Sequence, residues 1–112
     1  MKVAVGFFGI TRSLKFTRDS IYKNVFRRLR ELGYDYKIFL HTYKLNNYKN
    51  IRTKESSTNI DNEEYKMLNP DYFEIQKQDL VLESINPEKY RTHKDPWNTN
   101  YNSVDNFLLG QY

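Results

Sequence analysis

The chain begins with MKVAVGFFGITRS, residues 1–13, in which an apolar run leads into a loop with small residues and a fixed positive charge. Residues 2–8 are too few for a globular helix and are rich in valine and phenylalanine, which predicts a buried strand. From Thr17 the apolar residues recur at helical spacing, so we expect an amphipathic helix that Thr17 caps and Gly33 ends. Residues 34–43 form a second apolar run. A strand, a helix and a second strand predict a parallel pair and an α/β fold.

The composition limits the function classes. A length of 112 residues suits a single domain over 1–112. The absence of cysteine excludes disulfides, thiolate metal sites and a cysteine nucleophile, and it favours a reducing compartment, by default the cytoplasm. No apolar run approaches the ~20 residues of a membrane span. The net charge of +4 suits a phosphorylated ligand or nucleic acid. The densest group of basic residues, at 23–30, lies on the polar side of the predicted helix, which is typical of a solvated face.

The rest of the chain gives weaker signals. The polar segment 44–69 predicts an excursion over the surface, with one helical turn near its end. Residues 72–78 predict a third strand, after which Asp79 can cap a short helix. Trp97 is expected to pin an irregular loop to the core or to a ligand, and the core is favoured. Ser103 can cap a C-terminal helix whose apolar side we expect to promote self-association.

The loop after the first run permits a phosphate site. It has neither the three-glycine dinucleotide fingerprint nor a Gly-Lys-Ser/Thr motif, so nicotinamide and P-loop chemistry are disfavoured. Arg12 can make a two-pronged contact with a diphosphate, and the Ser13 hydroxyl and the amides of 11–14 can donate hydrogen bonds. The alternative is that Arg12 only forms an ion pair on the surface of an ordinary turn.

No catalytic set is complete in the sequence. His41 and His93 are single histidines without metal-ligand spacing, and the acidic cluster 61–64 is most simply a solvated turn. Asp79 follows a predicted strand, where open α/β sheets bind ligands, but helix capping explains it equally well.

Four segments resemble a known family: 5–15, 35–43, 78–79 and 106–112. They are similar to the N-terminal part of glycosyltransferase-like proteins found in giant viruses and in bacterial surface-polysaccharide loci. The resemblance covers most of the chain except 44–69. It implies the GT-A fold, here as a Rossmann-like three-layer half-domain with about three parallel strands and flanking helices.

The resemblance also implies where a nucleotide sugar or nucleoside diphosphate binds. The Gly9 loop would contact the diphosphate or ribose, and the end of the second strand would lie near the nucleoside. The full implied set is Gly9, Thr11, Arg12, Ser13, His41, Thr42, Tyr43 and Asp79.

In that fold the aspartates that hold a divalent metal, Mn or Mg, and the acceptor site lie further along the chain. The sequence is therefore expected to be a truncated N-terminal fragment that binds no metal and is inactive alone. A full-length enzyme would transfer a sugar from a nucleotide-sugar donor to a hydroxyl acceptor, with the metal neutralising the leaving group. Its location would be the cytoplasm, or the host cytoplasm if it is viral.

The rival function is a small, basic, aromatic-rich nucleic-acid-binding module without catalytic activity. Such a module needs aromatic and basic residues together on one exposed face. Here the strand aromatics lie in apolar runs and the arginines lie on the helix, so nucleic acid is the less favoured partner.

Overall fold

A computed structural model describes residues 1–50, 53–96 and 98–112. The chain forms two compact units, the first made of 1–42 and 61–75 and the second of 43–60 and 76–112. That one domain spans 1–112 stays a prediction, and Trp97 lies outside the described residues. The strands and α-helices, in chain order, are β1 (Lys2–Phe8), α1 (Leu14–Ile21), α2 (Arg27–Glu31), β2 (Asp35–Lys44), β3 (Tyr48–Asn50), β4 (Glu55–Ser57), β5 (Tyr72–Lys77), α3 (Gln78–Ile85) and α4 (Asn102–Gln111).

A three-stranded sheet in the order β1-β2-β5 confirms the predicted α/β class with a parallel sheet and flanking helices. β1 and β2 are parallel, with Lys2 opposite Asp35 and Phe8 opposite His41. The carboxyl ends of these two strands therefore meet at one edge of the sheet. The Rossmann-like, three-layer form of this architecture stays a prediction.

The first helix is longer than the sequence pattern predicted. It begins at Leu14 after an N-cap at Ser13, and the Thr17 hydroxyl donates to the Ser13 carbonyl at 3.3 Å, so the predicted cap at Thr17 was wrong. A π-helical segment, Tyr22–Phe26, joins α1 to α2. Leu32 is the C-cap residue after α2 and is 64% exposed. Gly33 ends the helix at a φ of +73°, as predicted.

The core of the first unit covers one face of the sheet. Phe26 is fully buried, stacks on Tyr36 with ring centroids 5.3 Å apart, and forms T-shaped contacts with the Phe7 and Tyr22 rings. Burial alternates along β1, so every second residue points away from this core. The buried members are Leu14, Phe26, Ile38, Leu40, Tyr65 and Leu68.

The polar segment 44–69 is more ordered than expected. β3 and β4 form an antiparallel hairpin, and Glu64–Leu68 forms a 3-10 helix. Tyr65 and Leu68 join the first core, with Leu68 only 1% exposed, so a purely surface excursion was wrong for this end of the segment. Two apolar side chains three residues apart suffice to bury one side of such a short helix, although the segment as a whole is polar.

The second unit has a smaller core formed by Tyr43, Val81 and Leu109. The Tyr43 hydroxyl donates to the Leu109 carbonyl at 2.9 Å, which ties the end of β2 to α4. The Asp95 carboxylate accepts the Thr99 N–H at 2.7 Å and the Tyr101 N–H at 3.1 Å. These bonds shape the loop that leads into α4.

Both helix caps predicted for the second unit were wrong. α3 begins after Lys77, with Asp79 inside its first turn, and α4 begins after Tyr101, with Ser103 inside the helix. Neither helix has a side-chain capping bond at its start. Phe107 is exposed on α4, which keeps the predicted self-association open to test. Over the described ranges, every helix is too short or too polar to cross a bilayer.

Candidate functional site

A cleft of about 190 Å³ opens in the first unit at the carboxyl ends of β1 and β2. The loop after β1 forms one wall and the start of α1 forms another, and the end of β2 closes the cleft. Open α/β sheets bind their ligands at this edge because the loops that follow the strands converge there. The lining residues are Phe7, Phe8, Gly9, Ile10, Thr11, Ser13, Leu14, Thr17, Ile21, Leu40, His41 and Leu68.

Gly9 makes the turn that opens this cleft. Its φ of +108° is a conformation that residues with a side chain rarely adopt, so a glycine is needed at this position. Its N–H donates to the His41 carbonyl at 3.2 Å, which fastens the loop to the end of β2. The chain then turns at Ser13 into α1. The local geometry thus holds Thr11 and Ser13 beside the end of β2.

The cleft has an apolar base and a polar rim. Leu14, Leu40 and Leu68 are all buried and belong to the first core. The hydroxyl-bearing side chains and His41 supply the hydrogen-bonding groups. Small-molecule sites usually combine such an apolar lining with a few polar groups that fix the orientation of the ligand.

Glu64 is the residue of this region that sequence reasoning missed. It is 4% exposed, and its Oε1 accepts the backbone N–H of Lys15 at 2.6 Å. Lys15 lies in the first turn of α1, where the helix dipole favours negative charge. The interpretation of 61–64 as a solvated turn was therefore wrong for Glu64. The only sequence signal was its place in the densest acidic cluster.

The predicted site residues of the first unit are only partly brought together. Gly9, Thr11, Ser13 and His41 line the cleft. Arg12 lies on the same loop, is exposed, and is not among the lining residues. The cleft therefore presents hydroxyls and backbone groups directly, with the guanidinium outside its walls.

The other predicted residues lie in different surroundings. Thr42 belongs to the first unit and is 3% exposed, and its hydroxyl has no hydrogen-bond partner among the described residues. Tyr43 and Asp79 belong to the second unit. Tyr43 is a core residue there, and burial raises the pKa of its phenol, with a smaller contribution from Tyr112. Asp79 is exposed in the first turn of α3.

The described residues do not group into a site for a divalent metal. Within 1–50, 53–96 and 98–112, no three His, Asp or Glu side chains are grouped so that they can hold an ion.

Comparison of the chain with protein-family models, curated proteins and solved structures gave no match.

Proposed function

We propose that the first unit binds the nucleotide of a sugar-nucleotide donor, as the N-terminal part of a GT-A-like glycosyltransferase that transfers the sugar to a hydroxyl acceptor. The observation that carries the proposal is the cleft at the carboxyl ends of β1 and β2, lined by Gly9, Thr11, Ser13 and His41. In a Rossmann-like half-domain this edge is the nucleotide site. The expected location remains the cytoplasm.

The diphosphate is assigned to the outer part of the loop. The Thr11 and Ser13 hydroxyls can donate to phosphate oxygens, and Arg12 on the same loop can pair with the charge from outside the cleft. The buried leucines at the bottom of the cleft suit the apolar face of a ribose or a nucleobase. This division follows from where the polar and apolar groups lie.

Glu64 limits how close the phosphates can come to α1. Its carboxylate already accepts the Lys15 N–H, so a phosphate at that amide would meet a negative charge. A diphosphate is therefore expected beside 11–13 and not on the helix axis. Replacing Glu64 with glutamine keeps the shape and removes the charge. Glu64→Gln should tighten binding of UDP while leaving binding of uridine, which has no phosphate, unchanged.

Amide NMR titration with UDP or GDP tests the proposal. The largest shifts are expected at 11–14, and Arg12→Ala should weaken binding by roughly tenfold, the loss of one charge-assisted contact. Arg30→Ala is the matched control because Arg30 is an exposed arginine on α2. Shifts centred on 27–30, or equal effects of the two substitutions, would contradict the proposed site.

The chain alone is expected to transfer no sugar. The resemblance places the metal-binding aspartates and the acceptor site further along the chain of a full-length enzyme. Donor hydrolysis and transfer should be assayed with several nucleotide sugars in the presence of Mn²⁺. Activity above that of Arg12→Ala would show that the catalytic requirement has been misjudged.

One observation favours single-stranded nucleic acid as a second candidate. Phe8, Phe39 and Tyr72 belong to the apolar runs of the strands, yet their side chains are exposed. The arginines at 27–30 nevertheless lie on α2, apart from these strands. Binding of an oligonucleotide that weakens steeply with added salt would support this alternative.

A further inference from the structure

The sheet of the first unit has an aromatic face that its own core does not cover. In β1 and β2 the residues that alternate with the core positions are exposed, among them Gly6, Phe8 and Phe39. In the parallel register Gly6 lies opposite Phe39, and Phe8 lies opposite His41. Parallel sheets are usually buried on both faces, so an exposed face rich in aromatic rings calls for an explanation.

A groove of about 360 Å³ follows this face at the carboxyl edge of the sheet. Phe39 and Tyr72 stack in its wall, with ring centroids 5.0 Å apart and planes 13° from parallel. Phe8 is 81% exposed and Tyr72 is 59% exposed. Gly6 adds no side chain, and a Cβ built there meets no atom within 4 Å, so open space lies above the strand. A flat, apolar ligand surface can therefore reach the rings.

The polar groups that line the groove favour an uncharged ligand over an anionic one. Glu74 and His41 line it, and none of the described lining residues is lysine or arginine. A nucleic acid would place phosphates near the Glu74 carboxylate without a cation in the lining to pair with them. A carboxylate is instead a strong acceptor for uncharged hydroxyl donors.

We propose that this groove is a binding site for a neutral saccharide. The C–H faces of a sugar ring would pack on Phe8 and on Tyr72, and its hydroxyls would donate to Glu74. The groove also shares Phe8 and His41 with the cleft assigned to the nucleotide. Saccharide binding stands on the groove alone, whereas the role of that saccharide as the acceptor rests on the proposed function.

NMR titration of the full chain with maltotriose and with cellotriose tests the assignment. Millimolar binding is expected, with shifts centred on Phe8, Phe39 and Tyr72. Tyr72→Ala should weaken binding by about fivefold, the contribution of one ring contact. Tyr90→Ala is the matched control, since Tyr90 is a similarly exposed tyrosine of the second unit, and it should leave binding unchanged. Glu74→Gln should weaken binding by about threefold without removing a ring.

Three results would overturn the assignment. The first is the absence of groove shifts with either saccharide up to about 50 mM, the weak end of specific binding. The second is a salt-sensitive response of the same residues to oligo(dT), and the third is a response to protein concentration alone, which marks self-association. UDP titration of the same sample reports on 11–14 separately. A failure of the nucleotide proposal can therefore be distinguished from a failure of the saccharide proposal.

Discussion

The first unit is built around a large aromatic cluster, whereas the second unit combines a small apolar core with a network of polar contacts. Phe26 is fully buried and contacts three other rings in the first unit. In the second unit the Asp95 carboxylate orders the loop before α4, and Arg91 pairs with Asp105 at 2.6 Å. An apolar core is destabilised when a substitution leaves a large cavity, whereas a polar loop depends on a few directed hydrogen bonds. The two units should therefore respond differently to the same kind of substitution.

The largest expected effect is on the aromatic cluster. Phe26→Ala removes a fully buried ring, and it should lower the free energy of unfolding by about 3–5 kcal/mol. Urea unfolding measures the loss, and amide hydrogen exchange should show it mainly in β1 and β2. Phe16→Ala is the matched control because Phe16 lies on α1 and is exposed. Equal losses for the two variants would refute the assignment of Phe26 as the centre of the core.

A smaller loss is expected for the core of the second unit. Leu109→Ala leaves a cavity beside Tyr43 and Val81, and it should reduce the free energy of unfolding by about 2–3 kcal/mol. Hydrogen exchange should then increase mainly in α3 and α4. Leu80→Ala, an exposed leucine of the same unit, provides the control. If β1 and β2 lose as much protection as α3 and α4, the two units do not differ in the way described.

The polar loop of the second unit gives the next effect. Asp95→Ala removes the acceptor for the Thr99 N–H and the Tyr101 N–H, and also for the Thr99 hydroxyl. The free energy of unfolding should fall by about 2 kcal/mol, a typical value for bonds to a charged group. Asp19→Ala, at a fully exposed carboxylate, should change it little. A melting temperature equal to that of the unchanged protein would mean that these bonds do not order the loop.

The smallest effect concerns pH and returns to the first unit. The Ile38 N–H, donating to Asp71 at 2.8 Å, lowers the pKa of this carboxyl, and the Lys37 ammonium at 3.1 Å lowers it further. The pKa of Asp71 is lower in the folded state than in the unfolded state, so the ionised carboxylate stabilises the fold. This contribution to the free energy of unfolding is fully present above the unfolded-state pKa, and it is lost as the pH falls through the folded-state pKa.

Asp71→Asn should therefore flatten the acid side of the stability profile and leave its slope near neutral pH unchanged. Thermal unfolding between about pH 2 and 7, which brackets both protonation states, measures the change. The profile of Asp19→Asn should instead follow that of the unchanged protein. Superimposable acid limbs for all three proteins would show that Asp71 is not linked to folding.

The candidate site was predictable where it depends on local pattern. The apolar runs and the helical spacing located β1, β2 and α1, and the glycine after β1 identified the loop that lines the cleft. Glu64 was not predictable because its role depends on a contact with Lys15, which is 49 residues away in the chain. Arg12 was expected to contact a diphosphate because it lies in the loop after β1. Loop membership does not fix the direction of a long side chain, and Arg12 lies outside the lining.

The sequence alone determined the α/β class, the parallel pairing of β1 and β2 and the position of the loop between them, since these follow from apolar periodicity and from glycine at a turn. Only the tertiary structure decided which aromatic residues are buried. Phe26 and Phe39 both belong to apolar patterns in the sequence. Phe26 is nevertheless the centre of a core, whereas Phe39 lies on an exposed face of the sheet. Burial depends on what packs against a side chain, and those partners come from distant parts of the chain.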